Sequence, residues 1–120
     1  MLTEAMTEVV ARRFRALGEP MRLRILQALE DGEKPVSDIV EMLEASQPNI
    51  SKHLKALCQE GLVNRRREGL NICYSIADPM VFKLCDLICR HAAERTRSQL
   101  AELDAIFTSR QRRHSRAPRG

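Results

Sequence analysis

The sequence predicts a mainly α domain that carries a small β-hairpin. Three observations predict it. Apolar residues recur at helical spacing through most of the first sixty positions, the period changes between Leu62 and Ile76 around a glycine turn, and neither Pro nor Gly interrupts the chain between Pro79 and Phe107. The length, 120 residues, is that of one domain, and 43% hydrophobic with 30% charged residues suits a folded soluble chain rather than a disordered one.

The first helix is marked by Met6, Val9, Val10, Phe14 and Leu17, with Gly18 as terminator. The second follows from Glu19, with Pro20 in its first turn, Leu23, Leu26 and Leu29 facing inward, and Asp31-Gly32 as the stop. The third is short, capped by Ser37, with Ile39, Val40 and Leu43 as its apolar side. Ser46 caps the fourth, which tolerates Pro48 in its first turn and runs to about Glu60 before Gly61 ends it. Ile50, Leu54, Leu57 and Cys58 form the buried stripe of this helix, and Gln47, Ser51, Lys52, Lys55 and Gln59 its opposite face. Leu62–Arg67 and Asn71–Ile76 then flank a turn at Glu68-Gly69-Leu70 and read as a hairpin.

From Pro79 onward, Val81, Leu84, Cys85, Ile88, Ala92, Thr96, Leu100, Leu103 and Phe107 make one long stripe. A helix there spans about 40 Å at 1.5 Å per residue. That exceeds what one small domain covers, so the stripe is expected to meet a second copy of itself. The order of elements is that of a winged helix-turn-helix over residues 1–108, with its first and last helices available for dimerisation. Residues 109–120 read as a basic, disordered tail.

The net charge of +4 is a property of that tail, which holds five arginines and no acid; residues 1–108 carry 15 basic against 16 acidic groups. Between Ser51 and Arg67, however, Lys52, Lys55, Arg65, Arg66 and Arg67 face a single acid, Glu60. A local positive patch on a near-neutral body is what a phosphate backbone rewards. A helix-turn-helix presents its second helix to the major groove, where Gln47 and Asn49 can pair with adenine and Ser51 with a base or a phosphate. Lys52 and Lys55 are placed to neutralise phosphates, and the three wing arginines to reach the backbone or the minor groove. The competing reading is an ordinary solvated face with ordinary wing charge.

Other functions find less to rest on. Aromatic residues make up 3% of the chain, which disfavours binders that stack unpaired bases. No apolar run is long enough to cross a bilayer, and the charged N-terminal stretch lacks the core of an export signal. The expected location is the cytoplasm, with Cys58, Cys73, Cys85 and Cys89 as reduced thiols and none in a Cys-x-x-Cys pair. No nucleophile with its base, phosphate-binding glycine loop or acid pair is evident, so no enzyme is expected.

The stretches ALGEPMRLRILQAL, VSDIVEML and SQPNISKHLKALCQEGLVNRRREGLNICYSI, in that order, resemble the ArsR/SmtB family of bacterial winged helix-turn-helix repressors. The likeness covers about Phe14 to Glu94. It implies a homodimer on palindromic duplex operator DNA, with Ser46, Gln47, Asn49, Ser51, Lys52 and His53 in the DNA-reading helix and Arg65–Arg67 in the wing. It also implies an inducer, often a metal or metalloid ion, that releases the operator. The third-helix thiol site of the family is missing, because Pro35 and Ser37 stand where both cysteines would be. The last-helix site is matched by Asp78, His91 and Glu94, but Met80 replaces a histidine and a thioether does not suit zinc. Asp78 reads equally as a cap before Pro79.

A third possibility is thiol chemistry. Cys85 and Cys89 lie four apart on one helix face and would suit a soft metal, a metalloid or an oxidant; buried on an apolar stripe, they would be small hydrophobes instead. The alternatives in function are a winged-helix regulator with no metal or redox site, and a protein-interaction module that has lost DNA binding.

Overall fold

The computed structural model of the chain describes residues 1–115. The chain divides into two units, one ending at Pro79 and the other beginning at Met80. In the first unit, α1 (Glu4–Leu17) and α2 (Pro20–Ala28) precede a short strand β1 (Lys34–Pro35), followed by α3 (Val36–Leu43), α4 (Gln47–Gln59), β2 (Val63–Glu68) and β3 (Asn71–Ile76). The second unit is α5 (Met80–Ser115).

Local chemistry sets the helix ends. Thr3 accepts from the Met6 N–H at 3.1 Å to start α1, and Gly18 ends it. The Glu19 carboxylate accepts from the Arg22 N–H at 2.9 Å and so caps α2, with Pro20 at a position whose missing N–H costs nothing. Helix α3 begins at Val36 and its cap is Pro35, two residues before the expected Ser37, because the chain enters the helix directly from β1; the proline ring has no polar atom with which to make a side-chain cap bond. Glu44, at φ +52°, closes α3 in the left-handed conformation and turns the chain toward Ser46.

The core of this unit is Ile25, Leu26, Leu29, Ile39, Ile50, Leu54 and Leu57, all under 2–3% exposed, supplied by α2, α3, α4 and the residue after α2. Ile25 takes the inward place expected of Leu23, which is half-buried. The hairpin has the expected strands, with Val63 opposite Ile76 and Glu68 opposite Asn71. Gly69 at φ +61° opens its two-residue loop, the position where a type II′ turn needs a positive φ. One feature was absent from the sequence reading: β1 adds to the other edge of β3, giving the order β1-β3-β2.

Helix α5 is exposed at every side chain from Asp86 to Ser109. Leu87, Ile88, Leu100, Leu103, Ile106 and Phe107 are each more than half exposed in the single chain. The helix continues to Ser115, past the boundary placed at residue 108, because Arg and Gln are good helix formers and no breaker occurs before Pro118. Residues 116–120, the rest of the expected tail, lie outside the described residues. Among the described residues no helix is long and apolar enough to cross a membrane.

Candidate nucleic-acid interface

Helix α4 is held at its start by Ser46, whose Oγ accepts from the Asn49 N–H at 3.3 Å. Ile50, Leu54 and Leu57 fasten it to the core, which leaves Gln47, Ser51, Lys52, Lys55 and Gln59 exposed on the other side. Ser46 is also exposed and Asn49 half-buried at the edge between the two faces. Among the described residues Lys52 and Lys55 have no carboxylate partner. The result is a capped helix that presents two exposed ammonium groups on the side away from the core, the side that the sequence predicts to face DNA.

His53 does not join that face. It is 6% exposed, and its Nδ1 accepts from Arg22 Nε at 3.2 Å while a Glu19 carboxylate oxygen lies 3.7 Å from the same nitrogen. The reason is the helical period: position 53 falls three residues after Ile50 and four before Leu57, on the buried stripe. A histidine can occupy such a place because Arg22 satisfies its polar edge. His53 is therefore a buried residue of α4 and not one of the DNA-facing side chains the sequence predicts.

The wing arginines divide by strand alternation. Arg65 and Arg67 project to one side of β2, and Arg66 to the other with Glu68. The Arg66 guanidinium reaches Glu33 with Nε at 3.1 Å and a terminal nitrogen at 2.5 Å, and the same nitrogen lies 3.0 Å from Glu68. Bidentate pairing of this kind is the strongest form of an Arg–carboxylate contact. Arg66 holds the Glu33 carboxyl below its ordinary range, so the tether persists through neutral pH and is released only as the pH falls through that lowered value. Arg65 and Arg67 have no acid partner among the described residues. We therefore expect Arg65→Ala and Arg67→Ala each to weaken duplex binding and lower its salt slope by about 1, and Arg66→Ala to do much less. Fluorescence anisotropy over a salt series checks this, and it corrects the equal weight that sequence alone assigns to the three.

The candidate sensing residues lie elsewhere. Asp78 is exposed ahead of α5, and His91 and Glu94 are exposed on α5, where they share a surface recess with Arg95, Ser98 and Glu102. Cys85 is half-buried and Cys89 exposed. Burial pushes the Cys85 thiol up, and it does the same to Cys58, against a smaller opposing pull from Arg65. Since the thiolate is the reactive form, iodoacetamide at neutral pH should label Cys89 first, with Cys85 and Cys58 severalfold slower. Peptide mass spectrometry over a labelling time course reads this order directly.

One cluster escaped the sequence reading altogether. Ligand atoms of Glu33, Glu68 and the buried Cys73 lie within 4.8 Å of one another, brought together by β1 pairing beside β3. Arg66 already supplies the positive charge that binds both carboxylates there.

The profile of the family described as "Bacterial regulatory protein, arsR family" matches residues 19–65. Over 77 residues the chain is 43% identical to a probable mercury resistance operon repressor of Streptomyces lividans, covering 64% of this chain and 62% of that relative. It is 39% identical over 83 residues to the HTH-type transcriptional regulator NmtR of Mycobacterium tuberculosis, covering 69% of each. Among solved structures, a homodimeric winged helix-turn-helix DNA-binding domain from Mycobacterium bovis, described as a possible ArsR-family transcriptional regulator, is 35% identical with a TM-score of 0.69. That likeness covers 78% of this chain and 90% of the other.

Proposed function

This chain belongs to the ArsR family of bacterial regulatory proteins, and on that premise we propose that it is a repressor binding duplex operator DNA as a homodimer. The observation that carries the reading is the α4 surface: a capped helix, fixed to the core by Ile50, Leu54 and Leu57, with Lys52 and Lys55 exposed on its free side and without an acid partner among the described residues. Gln47 at its start supplies a side-chain amide for base edges, and Arg65 and Arg67 extend the cationic surface onto the wing. An interaction module that had lost DNA binding would have no need of unpaired cations in this position. The apolar residues left bare on α5 supply a surface for a second copy, and a dimer places two α4 helices about 34–36 Å apart on successive major grooves. Such a protein works in the cytoplasm, where its operator is.

Release from DNA is assigned to a soft metal ion, a metalloid or a thiol oxidant acting at Cys85 and Cys89. Cys89 is exposed in the single chain and the two lie on one face of α5, where a second copy can bring its own pair beside them; that suits a soft ligand once the thiols are deprotonated. The harder donors Asp78, His91 and Glu94 form the competing set. Gel shifts of the reduced dimer on its promoter, titrated with mercuric ion, arsenite, zinc, copper(I) and persulfide, decide between them. Release that disappears in Cys85→Ser/Cys89→Ser supports the thiols; release by zinc that disappears in His91→Ala supports the other set. If nothing in the series releases the operator, the protein is a regulator without either site.

A further inference from the structure

We infer that the cleft between α1, α2 and α4 is a binding site for a phosphate group. Three guanidinium groups from two helices converge on it: Arg12 and Arg15, one turn apart on α1, and Arg22 from α2. Its volume is about 190 Å³. The space exists because the positions behind the arginines are small, Ala16 on α1 and Ala56 on α4, and Gln59 adds an amide at the rim.

The charges around this cleft do not balance. Among the described residues Glu60 is the only acid that lines it, and it stands 4.0 Å from Arg12. Arg15 has no hydrogen bond or ion pair with any described residue. Arg22 is aimed rather than free: Nε donates to His53 Nδ1 at 3.2 Å and a terminal nitrogen to the Ala16 carbonyl at 3.4 Å. That fixes the plane of its guanidinium while leaving part of its set of five N–H donors unused. The Glu19 carboxylate is engaged with the Arg22 backbone N–H and is not among the lining groups.

Three guanidinium groups against the single Glu60 carboxylate leave an excess of two positive charges around the cleft, which an anion offsets, and the guanidinium fork matches the oxygens of an oxyanion. A carboxylate is satisfied by one fork, whereas the several oxygens of a phosphate can take donors from three directions. Two sources supply such a group. Gln59 lies on the same exposed side of α4 as Lys52 and Lys55, so a backbone phosphate of bound DNA could reach the cleft. Because every lining residue belongs to one chain, the site can take a free phosphate or phosphorylated solute without DNA.

The test uses the full chain and Arg15→Gln, a residue whose side chain holds nothing else in place. Inorganic phosphate is titrated against chloride at constant ionic strength, with the ¹⁵Nε–¹Hε signals of the arginines as readout. Saturable shifts of Arg22 in the DNA-free wild type, weakened at least about tenfold in Arg15→Gln, establish the site with free phosphate as its ligand. A salt slope for duplex binding that falls by about 1 in Arg15→Gln, without saturable phosphate shifts, establishes the DNA backbone as the source. Ala56→Leu, which fills the cleft and keeps every charge, should reproduce whichever loss is seen. The inference is overturned if phosphate produces no saturable shift and Arg15→Gln binds duplex with wild-type affinity and slope. That result would leave the Lys52 and Lys55 surface untouched, because those side chains lie outside the cleft.

Discussion

Replacing Lys52 and Lys55 together by alanine should lower affinity for duplex DNA by roughly tenfold to a hundredfold near physiological salt and reduce the salt slope by about 2. The estimate follows from counterion release: each neutralised phosphate contributes about 0.9 to the slope of log K against log salt. Among the described residues neither ammonium has an acid partner, so both are available to phosphates without breaking an ion pair there. The loss should fall on operator and scrambled duplexes alike, since phosphates carry no sequence. Thermal stability should hardly change, because exposed side chains with no partners contribute little to the fold. Parallel anisotropy and calorimetry on the double variant separate the two quantities.

The opposite pattern is expected one position away. Leu54 lies between those lysines in sequence but is fully buried, 0% exposed, on the inner side of α4. Leu54→Ala removes buried methyl groups and leaves a cavity, which costs about 2–5 kcal/mol. For a unit of this size that lowers the melting temperature by about 10 °C or more. DNA affinity should then fail only as the protein unfolds, and at low temperature the folded fraction should bind with nearly the wild-type salt slope. Adjacent residues with opposite phenotypes, one losing binding and the other losing the fold, are the signature of an amphipathic helix whose free side does the work.

The recognition helix was legible because its signals are local. Ser46 caps, Pro48 sits where no N–H is needed, Gly61 ends it at φ +70°, and the apolar period names three core residues. The hairpin was legible for the same reason, since Gly69 opens its turn between two extended runs. What stayed hidden depends on partners distant in sequence. His53 looks like a surface residue until Arg22, far along the chain, is seen to satisfy it. Arg66 looks like its neighbours until Glu33 is brought beside it. β1 is two residues long and contains a proline, so neither length nor propensity could announce it. Its pairing with β3 is what gathers Glu33, Glu68 and Cys73.

The most direct measurement is a salt titration of the wild type on two duplexes of equal length, one carrying the promoter of its own gene and the other the same bases scrambled. Both affinities should fall linearly with log salt, and the promoter should bind about a thousandfold more tightly or better. Equal affinity for the two, or a slope that Lys52→Ala/Lys55→Ala leaves unchanged, would contradict the assignment of the α4 face to DNA.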